Sequence, residues 1–161
     1  MATNTSSLLQ PPLDTQAWLN GVRAAWQRSG LRITGPRLRV IETIVSYQAP
    51  FSAEQLYADL CTHSDAPGRA TVYRTIDQLH ASGWLARIHG SVGEEGYIPC
   101  QPGHLHHLVC TQCGAVTSFE GCDIEQMIAN VAAQTGFSVE GHLLQLFGRC
   151  AKCRSKDQAT S

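Results

Sequence analysis

Residues 104 to 113 read His-Leu-His-His-Leu-Val-Cys-Thr-Gln-Cys, which sets three imidazoles and two thiols into one short stretch. Its tail, Cys110-Thr-Gln-Cys113, has a second copy in Cys150-Ala-Lys-Cys153. A Cys-x-x-Cys turn presents two sulfurs from one tight bend, and two such turns complete a tetrahedral thiolate shell around zinc. The interval 114–149 is longer than in a compact zinc ribbon and has room for a strand, a helix and a further strand. A zinc ion held by Cys110, Cys113, Cys150 and Cys153 therefore staples a small domain. The competing chemistry for the same spacing is a redox pair or a reversible disulfide switch.

The 161 residues suit one ordinary domain or two small ones. A basic leader followed by an apolar run is lacking, as is a stretch long enough to span a bilayer, so the expectation is a cytoplasmic protein without membrane contact. Thiols stay reduced there, and the odd cysteine count of seven points to metal ligation rather than a disulfide framework. Residues 1–90 carry eight Lys and Arg against six Asp and Glu, whereas residues 91–161 carry four against seven. The weakly basic front half permits nucleic-acid binding without demanding it.

The elements that must position these ligands follow from periodicity. Residues 1–13 are polar and proline-broken and read as a mobile arm. From Asp14, the spacing of Trp18, Leu19, Val22, Ala25 and Trp26 predicts a helix that stops at Ser29-Gly30. Pro36 suits the first turn of a second helix with Leu38, Ile41, Ile44 and Val45 inward and Arg37 and Arg39 on the wet side. Ser52 caps a third helix, with Gln55 completing a capping box and Leu56, Tyr57 and Leu60 on its inner face. Residues 69–79 form a fourth helix ending near Ser82-Gly83. It buries Val72, Ile76 and Leu79 and exposes Arg69, Thr71, Tyr73, Arg74 and Gln78. Trp84–His89 and Gly96–Cys100 flank a turn-rich acidic segment and predict a two-stranded hairpin.

Helices followed by such a hairpin make a winged helix-turn-helix, in which an exposed arginine can be bidentate to guanine while Tyr, Thr and Gln reach phosphates or base edges. On charge alone, a merely solvated helix face competes evenly with this reading. Beyond Cys100 the pattern alternates over 107–109, 115–119 and 137–147, with a helix over 123–135, which predicts a small α/β domain stabilised by zinc and dimerisation. The predicted fold class is thus α+β. Its parts are an arm at 1–13, a winged-helix domain at 14–92, a hinge at 93–100, an α/β dimerisation domain at 101–155 and a flexible tail at 156–161. Cys61 reads as a small buried residue, His63 and His80 as surface histidines, and Trp18, Trp26 and Trp84 as core.

These residues resemble those of the ferric uptake regulator (Fur) family of metal-responsive repressors, over nearly the whole chain from Ala17 to Cys153. The resemblance rests on Arg32 with the Pro36-Arg37 helix start, on Ser52-Ala-Glu-Gln-Leu-Tyr57, on Ala70-Thr-Val-Tyr-Arg-Thr75, on the His104–Cys110 run and on both Cys-x-x-Cys pairs. It implies a homodimer that binds an AT-rich inverted-repeat operator in double-stranded DNA when loaded with metal. The helix holding Tyr73 and Arg74 would enter the major groove, and Arg32 would lie toward the minor groove.

Strand alternation sends His104 and His106 to one side and His107 to the other. The positions of the family's second metal site fall on His104, His106, Glu125 and His142. A third set, His89, Cys100 and His107, straddles the join between domains and is the expected sensor. Glu120 is the candidate fourth ligand, in competition with an exposed acid at a strand end, and Cys122 is the alternative if the strand ends early. Ser118 stands where members often place a carboxylate, and Leu105 where some use a histidine. A cysteine in a nitrogen and sulfur shell favours zinc over ferrous iron, and the family's zinc-sensing branch also has one here. Ala49-Pro50-Phe51 lacks the histidine that iron and peroxide sensors draw from this loop.

The chain thus reads as a zinc-responsive repressor, with up to three zinc ions per chain and genes of zinc uptake as the implied targets. The rival within the family senses iron, manganese or nickel. A zinc hydrolase or deaminase is a rival from another class, but the H-x-E element beside a Pro-Cys-x-x-Cys is missing, no general base stands beside the histidines, and no catalytic constellation is present. A zinc adaptor without DNA binding leaves Arg69 to Gln78 unexplained.

Overall fold

A computed structural model describes residues 13–90, 95–121 and 124–158. Among them, the first unit is built from α1 (Thr15–Arg28), α2 (Gly35–Ser46), α3 (Ala53–Leu60), α4 (Arg69–Ala81), β1 (Leu85–His89) and β2 (Glu95–Pro99). Local signals set the helix starts. The Asp14 carboxylate accepts from the Ala17 amide at 2.7 Å, Pro36 occupies the first turn of α2, and the Ser52 hydroxyl accepts from the Gln55 amide at 3.0 Å. Each helix then turns one apolar stripe inward: Trp18, Leu19, Val22 and Trp26; Val40, Ile41, Ile44 and Val45; Leu56 and Leu60; Val72, Ile76 and Leu79. Leu38 is only half-buried, and Val40 takes the place expected for it. Thr75 is also buried, its hydroxyl satisfied by the Thr71 carbonyl at 2.7 Å.

The wing is an antiparallel pair in register from Leu85 opposite Pro99 to His89 opposite Glu95. Phe51, expected in a loop, is core. It exchanges backbone hydrogen bonds with Tyr97 at 3.0 and 2.8 Å and stacks on Tyr47 at 4.6 Å, which fastens the wing to the start of α3. The Trp18 indole, fully buried in α1, donates to the Cys100 carbonyl at 2.9 Å and the Trp84 carbonyl at 3.2 Å, while the Cys100 amide donates to Trp84 at 3.1 Å. Cys100 therefore belongs to the winged-helix unit. The segment expected as a hinge over 93–100 holds β2 instead, because its backbone groups are taken up by β1 and Trp18; residues 91–94 lie outside the described residues.

The second unit contains β3 (His106–Cys110), β4 (Val116–Phe119), α5 (Glu125–Thr135), β5 (Gln145–Gly148) and α6 (Ala151–Gln158). Its sheet runs β4-β3-β5, with β4 antiparallel and β5 parallel to β3. The parallel pairing makes α5 the crossover helix. Residues 137–144, expected to extend the last strand, have no regular structure. Their apolar members Phe137, Val139 and Leu143 are exposed, as are Leu108, Met127, Val131, Leu146 and Phe147, so the alternation marks a face left uncovered within one chain. Residues 156–158, expected in a tail, continue α6; residues 1–12, 122–123 and 159–161, and with them most of the arm, the start of the 123–135 helix and Cys122, lie outside the described residues. Cys61 is exposed at the end of α3, contrary to expectation, because the apolar stripe closes at Leu60. No described helix is long and apolar enough to cross a membrane. The architecture is the α+β one expected: a winged helix-turn-helix followed by a small α/β domain.

Replacing Trp18 by Phe keeps an aromatic ring but leaves the buried Cys100 carbonyl without its donor. The expected loss is about 1–3 kcal/mol of winged-helix stability, read by urea denaturation.

Candidate metal centre and nucleic-acid face

The knuckles form where β3 and β5 end. The Gly114 amide donates to the Cys110 carbonyl at 2.9 Å, and Gly114 takes a left-handed φ of +72°, which lets the chain reverse directly after Cys113. Side by side in the sheet, Cys110 is paired with Gly148, and the Cys150 amide donates to the Cys110 sulfur at 3.3 Å. Helix α6 begins at once and carries Cys153 back over the turn. The four sulfurs lie within 4.8 Å of one another, with Cys113 and Cys150 3.7 Å apart. A tetrahedral zinc with bonds of about 2.3 Å has sulfur–sulfur edges of roughly 3.8 Å, so the residues fit the ion. Backbone amides of Cys150, Cys113 and Gln112 aimed at Cys110 bring its thiol down to about 6, which favours the thiolate a metal needs. Cys153, hydrogen-bonded to Cys150 and partly desolvated, is pushed up to about 12.

A second cluster gathers His104, His106 and His142, whose ligand nitrogens also lie within 4.8 Å of one another. Ring centroids are separated by 4.6 Å from His104 to each of the other two and by 5.3 Å between those. His106 is 2% exposed, and its Nε2 has no protein partner; the hydrogen bond to the Leu144 backbone must therefore use Nδ1. Burial, then the neighbouring His104 and His142, lower its pKa and keep the ring neutral. A neutral imidazole held through one nitrogen, with the other buried and aimed at further imidazoles, fits a metal ion. Glu125, the first residue of α5, is exposed and lies outside this group.

The third expected set is not gathered in the same way. The Cys100 thiol donates to the Gly83 carbonyl at 3.2 Å, and burial pushes it up to about 12. His107 Nδ1 meets the Ser118 hydroxyl at 3.1 Å across the β3–β4 pair, its pKa lowered by burial and by His106. His89 closes β1, and Glu120 is exposed just past β4. Among the described residues these do not form a cluster like the other two; Cys100 and His107 instead meet Gly83 and Ser118. Glu95, opposite His89 in the wing, places a carboxylate oxygen 3.6 Å from its Nδ1 and also pairs with Arg87. It went unnoticed in the sequence because only the hairpin register brings the two together.

In the winged-helix unit, α4 displays Arg69 and Arg74 to solvent with Thr71 and Tyr73 half-buried beside them. The Arg69 guanidinium lies over the rings of Tyr57 and Tyr73, 5.3 and 5.4 Å from their centroids, and donates to the Tyr73 hydroxyl at 3.2 Å. That hydroxyl donates to Glu54 at 2.7 Å and holds its carboxyl below the usual range. Glu54 is thus a functional neighbour that charge counting misses, although the Ser52–Tyr57 motif contains it. Arg32 is exposed before α2, its carbonyl held by Arg37 at 2.7 Å.

A DNA-reading fold on one chain with clustered metal ligands is the arrangement of a metal-responsive transcription regulator. The model of the ferric uptake regulator family matches residues 28–147, and the chain belongs to that family, which comprises transcription regulators rather than enzymes. The chain is 34% identical over 129 residues to the ferric uptake regulation protein of Neisseria meningitidis, covering 80% of this chain and 90% of that one. It is also 34% identical over 135 residues to the zinc uptake regulation protein of Mycobacterium tuberculosis, covering 84% and 97%. A solved zinc uptake regulator complexed with zinc and DNA superposes with a TM-score of 0.75 at 26% identity, over 91% of this chain and 99% of that one.

Two outcomes follow for the thiolate cluster. Cys113→Ser is expected to lose the tightly held metal and unfold the second unit, seen as loss of bound metal by mass spectrometry and of the dimer by sedimentation. A thiol whose folded pKa is depressed contributes stability above its ordinary range, and that contribution disappears as pH falls through about 6. Metal retention against a chelator should accordingly weaken below about pH 6.

Proposed function

We propose that this chain is a zinc-responsive repressor that binds operator DNA as a metal-loaded homodimer and controls genes of zinc uptake. The observation that carries the proposal is the placement of Cys100, a soft ligand fixed to the winged-helix unit through Trp18, at the point where the chain leaves for the metal-binding unit. Zinc accepts sulfur and nitrogen donors together, whereas ferrous iron in such settings takes harder shells. In this reading the cysteine cluster holds a structural zinc, and His104, His106 and His142 hold a second with Glu125. His89, Cys100 and His107 hold the sensed ion, with Glu120 or Cys122 as fourth ligand, giving up to three zinc ions per chain. Gathering the sensor set requires Cys100 to give up Gly83, whereas His107 can keep Ser118 at Nδ1 and offer Nε2 to the ion.

The ligands sit on both sides of the join: His89 and Cys100 on the wing side, His107 on β3. Occupancy then favours one relative placement of the two units. Moving a population from 1:99 to 99:1 needs about 5.5 kcal/mol of differential binding, a scale that metal–ligand bonds across a join can supply. The exposed apolar side chains of α5, β5 and the 137–144 segment support homodimerisation. A dimer would present two copies of α4 to an AT-rich inverted repeat, with Arg69, Thr71, Tyr73 and Arg74 toward the major groove and Arg32 toward the minor groove.

Equal 34% identity to an iron-named and a zinc-named relative supports a second reading, in which another metal such as iron, manganese or nickel is sensed. Fluorescence anisotropy of labelled inverted-repeat DNA under buffered free zinc, and then under each other metal, separates them. Cys100→Ser is expected to remove zinc-stimulated binding and leave a folded dimer; unchanged DNA affinity in that variant rules out the sensor assignment.

A further inference from the structure

Strand β5 bears a residue that none of the metal sets uses. The Gln145 side-chain amide reaches back to the wing and takes both main-chain groups of His89: the His89 amide donates to Gln145 Oε1 at 3.1 Å, and Gln145 Nε2 donates to the His89 carbonyl at 2.5 Å. A carboxamide is suited to this because it offers one donor and one acceptor in a single plane, as a neighbouring strand would. Gln145 is also the register partner of His107 in the parallel β3–β5 pair, and Ser118 is the partner of His107 on β4. Residues opposite one another in a sheet project to the same face. Ser118, His107 and Gln145 thus form one row across the sheet, which holds the His107 ring at one end and the His89 backbone at the other.

We propose that Gln145 is a positioning residue: it clamps the end of the wing strand beside His107, so that His89 and His107 stay close while a metal ion bridging the two units draws in its other ligands. This role rests on the sensor reading above, but the clamp itself does not. Supporting groups one step removed from the metal act by fixing ligand orientation, and their loss costs about 10- to 100-fold in metal affinity. Since the side-chain hydrogen bonds of Gln145 go to the His89 main chain and not to the cysteine or three-histidine clusters, its replacement should leave those unaffected.

The test uses the full chain with its structural zinc in place, comparing wild type with Gln145→Leu, which removes both hydrogen bonds, and Gln145→Glu, which keeps the acceptor and sets a carboxylate against the His89 carbonyl. Amide hydrogen exchange at His89 reports the clamp, and the free-zinc midpoint of operator binding reports the alignment. Expected are faster His89 exchange in Gln145→Leu, a midpoint at least about tenfold higher in free zinc, an intermediate shift in Gln145→Glu, and unaltered structural zinc. Unchanged His89 exchange in a folded Gln145→Leu chain overturns the clamp whatever zinc does. Faster exchange with an unmoved midpoint, in a protein whose wild type responds to zinc, overturns the positioning role alone. If Gln145→Leu does not fold, the Gln145→Glu midpoint decides: no shift overturns the proposal. Wild-type DNA binding that ignores zinc sinks the sensor reading, and with it the positioning role, while His89 exchange still judges the clamp.

Discussion

The second unit depends on the convergence of four sulfurs at the ends of two neighbouring strands. Apolar burial cannot hold this domain within one chain: α5 buries no residue completely, and eight large apolar side chains in the unit stand exposed. Its described sheet has three strands, the minimum for independent stability and then only with an apolar face packed. Structural zinc contributes about 10–16 kcal/mol in small metal-dependent folds, which is the scale of a whole domain's stability. An ion held by these sulfurs would tie the exit of β3 to the exit of β5 and so fix the register along β3. With the register set, His106 faces His142, and the next residue, His107, faces Ser118 on the opposite side.

The winged helix stands on different physics. Its helices share one apolar core, α1 and α3 with side-chain caps at their starts, and a buried indole ties the last wing residues into it. One unit is therefore held by burial, whereas the other leaves its apolar face open and, on the proposed reading, relies on metal and a second copy to cover it. The proposed ligand set spanning the two would couple an ion to the placement of a DNA-reading helix without disturbing the core of either. The wing already touches the sheet through Gln145, so the join is a hydrogen-bonded contact as well as a linker.

How much of this was legible in the sequence depended on the range of the interaction. The helix starts at Asp14, Pro36 and Ser52 follow from caps and from proline's fixed geometry, and the inward faces of the helices follow from period. The thiolate cluster was legible because each half is a local turn, and the His104–His106–His142 group followed from the family resemblance. What escaped involves pairings that no local pattern encodes: Phe51 bridging to Tyr97, Glu95 facing His89, and Gln145 gripping the wing. The strand expected over 137–147 is short because apolar alternation reports a face that must be covered, not the chain that covers it. Cys61 misled because cysteine type says less about burial than its place just beyond the end of the Leu60 stripe. Glu125 was expected from the family's second-site positions and the Cys100 set from its place at the join, whereas Glu125 faces solvent and Cys100 and His107 have local hydrogen-bond partners.

On the proposed reading, a sulfur ligand from the winged-helix side, Cys100, belongs to the sensed metal. X-ray absorption at the cobalt edge tests it most directly, on protein whose cysteine cluster is filled with zinc and whose next site is filled with cobalt as a reporter. The predicted shell has one sulfur among nitrogen and oxygen ligands, and the sulfur is absent in Cys100→Ser. A shell of nitrogen and oxygen alone in the wild-type chain, under conditions where cobalt stimulates DNA binding, would contradict the account.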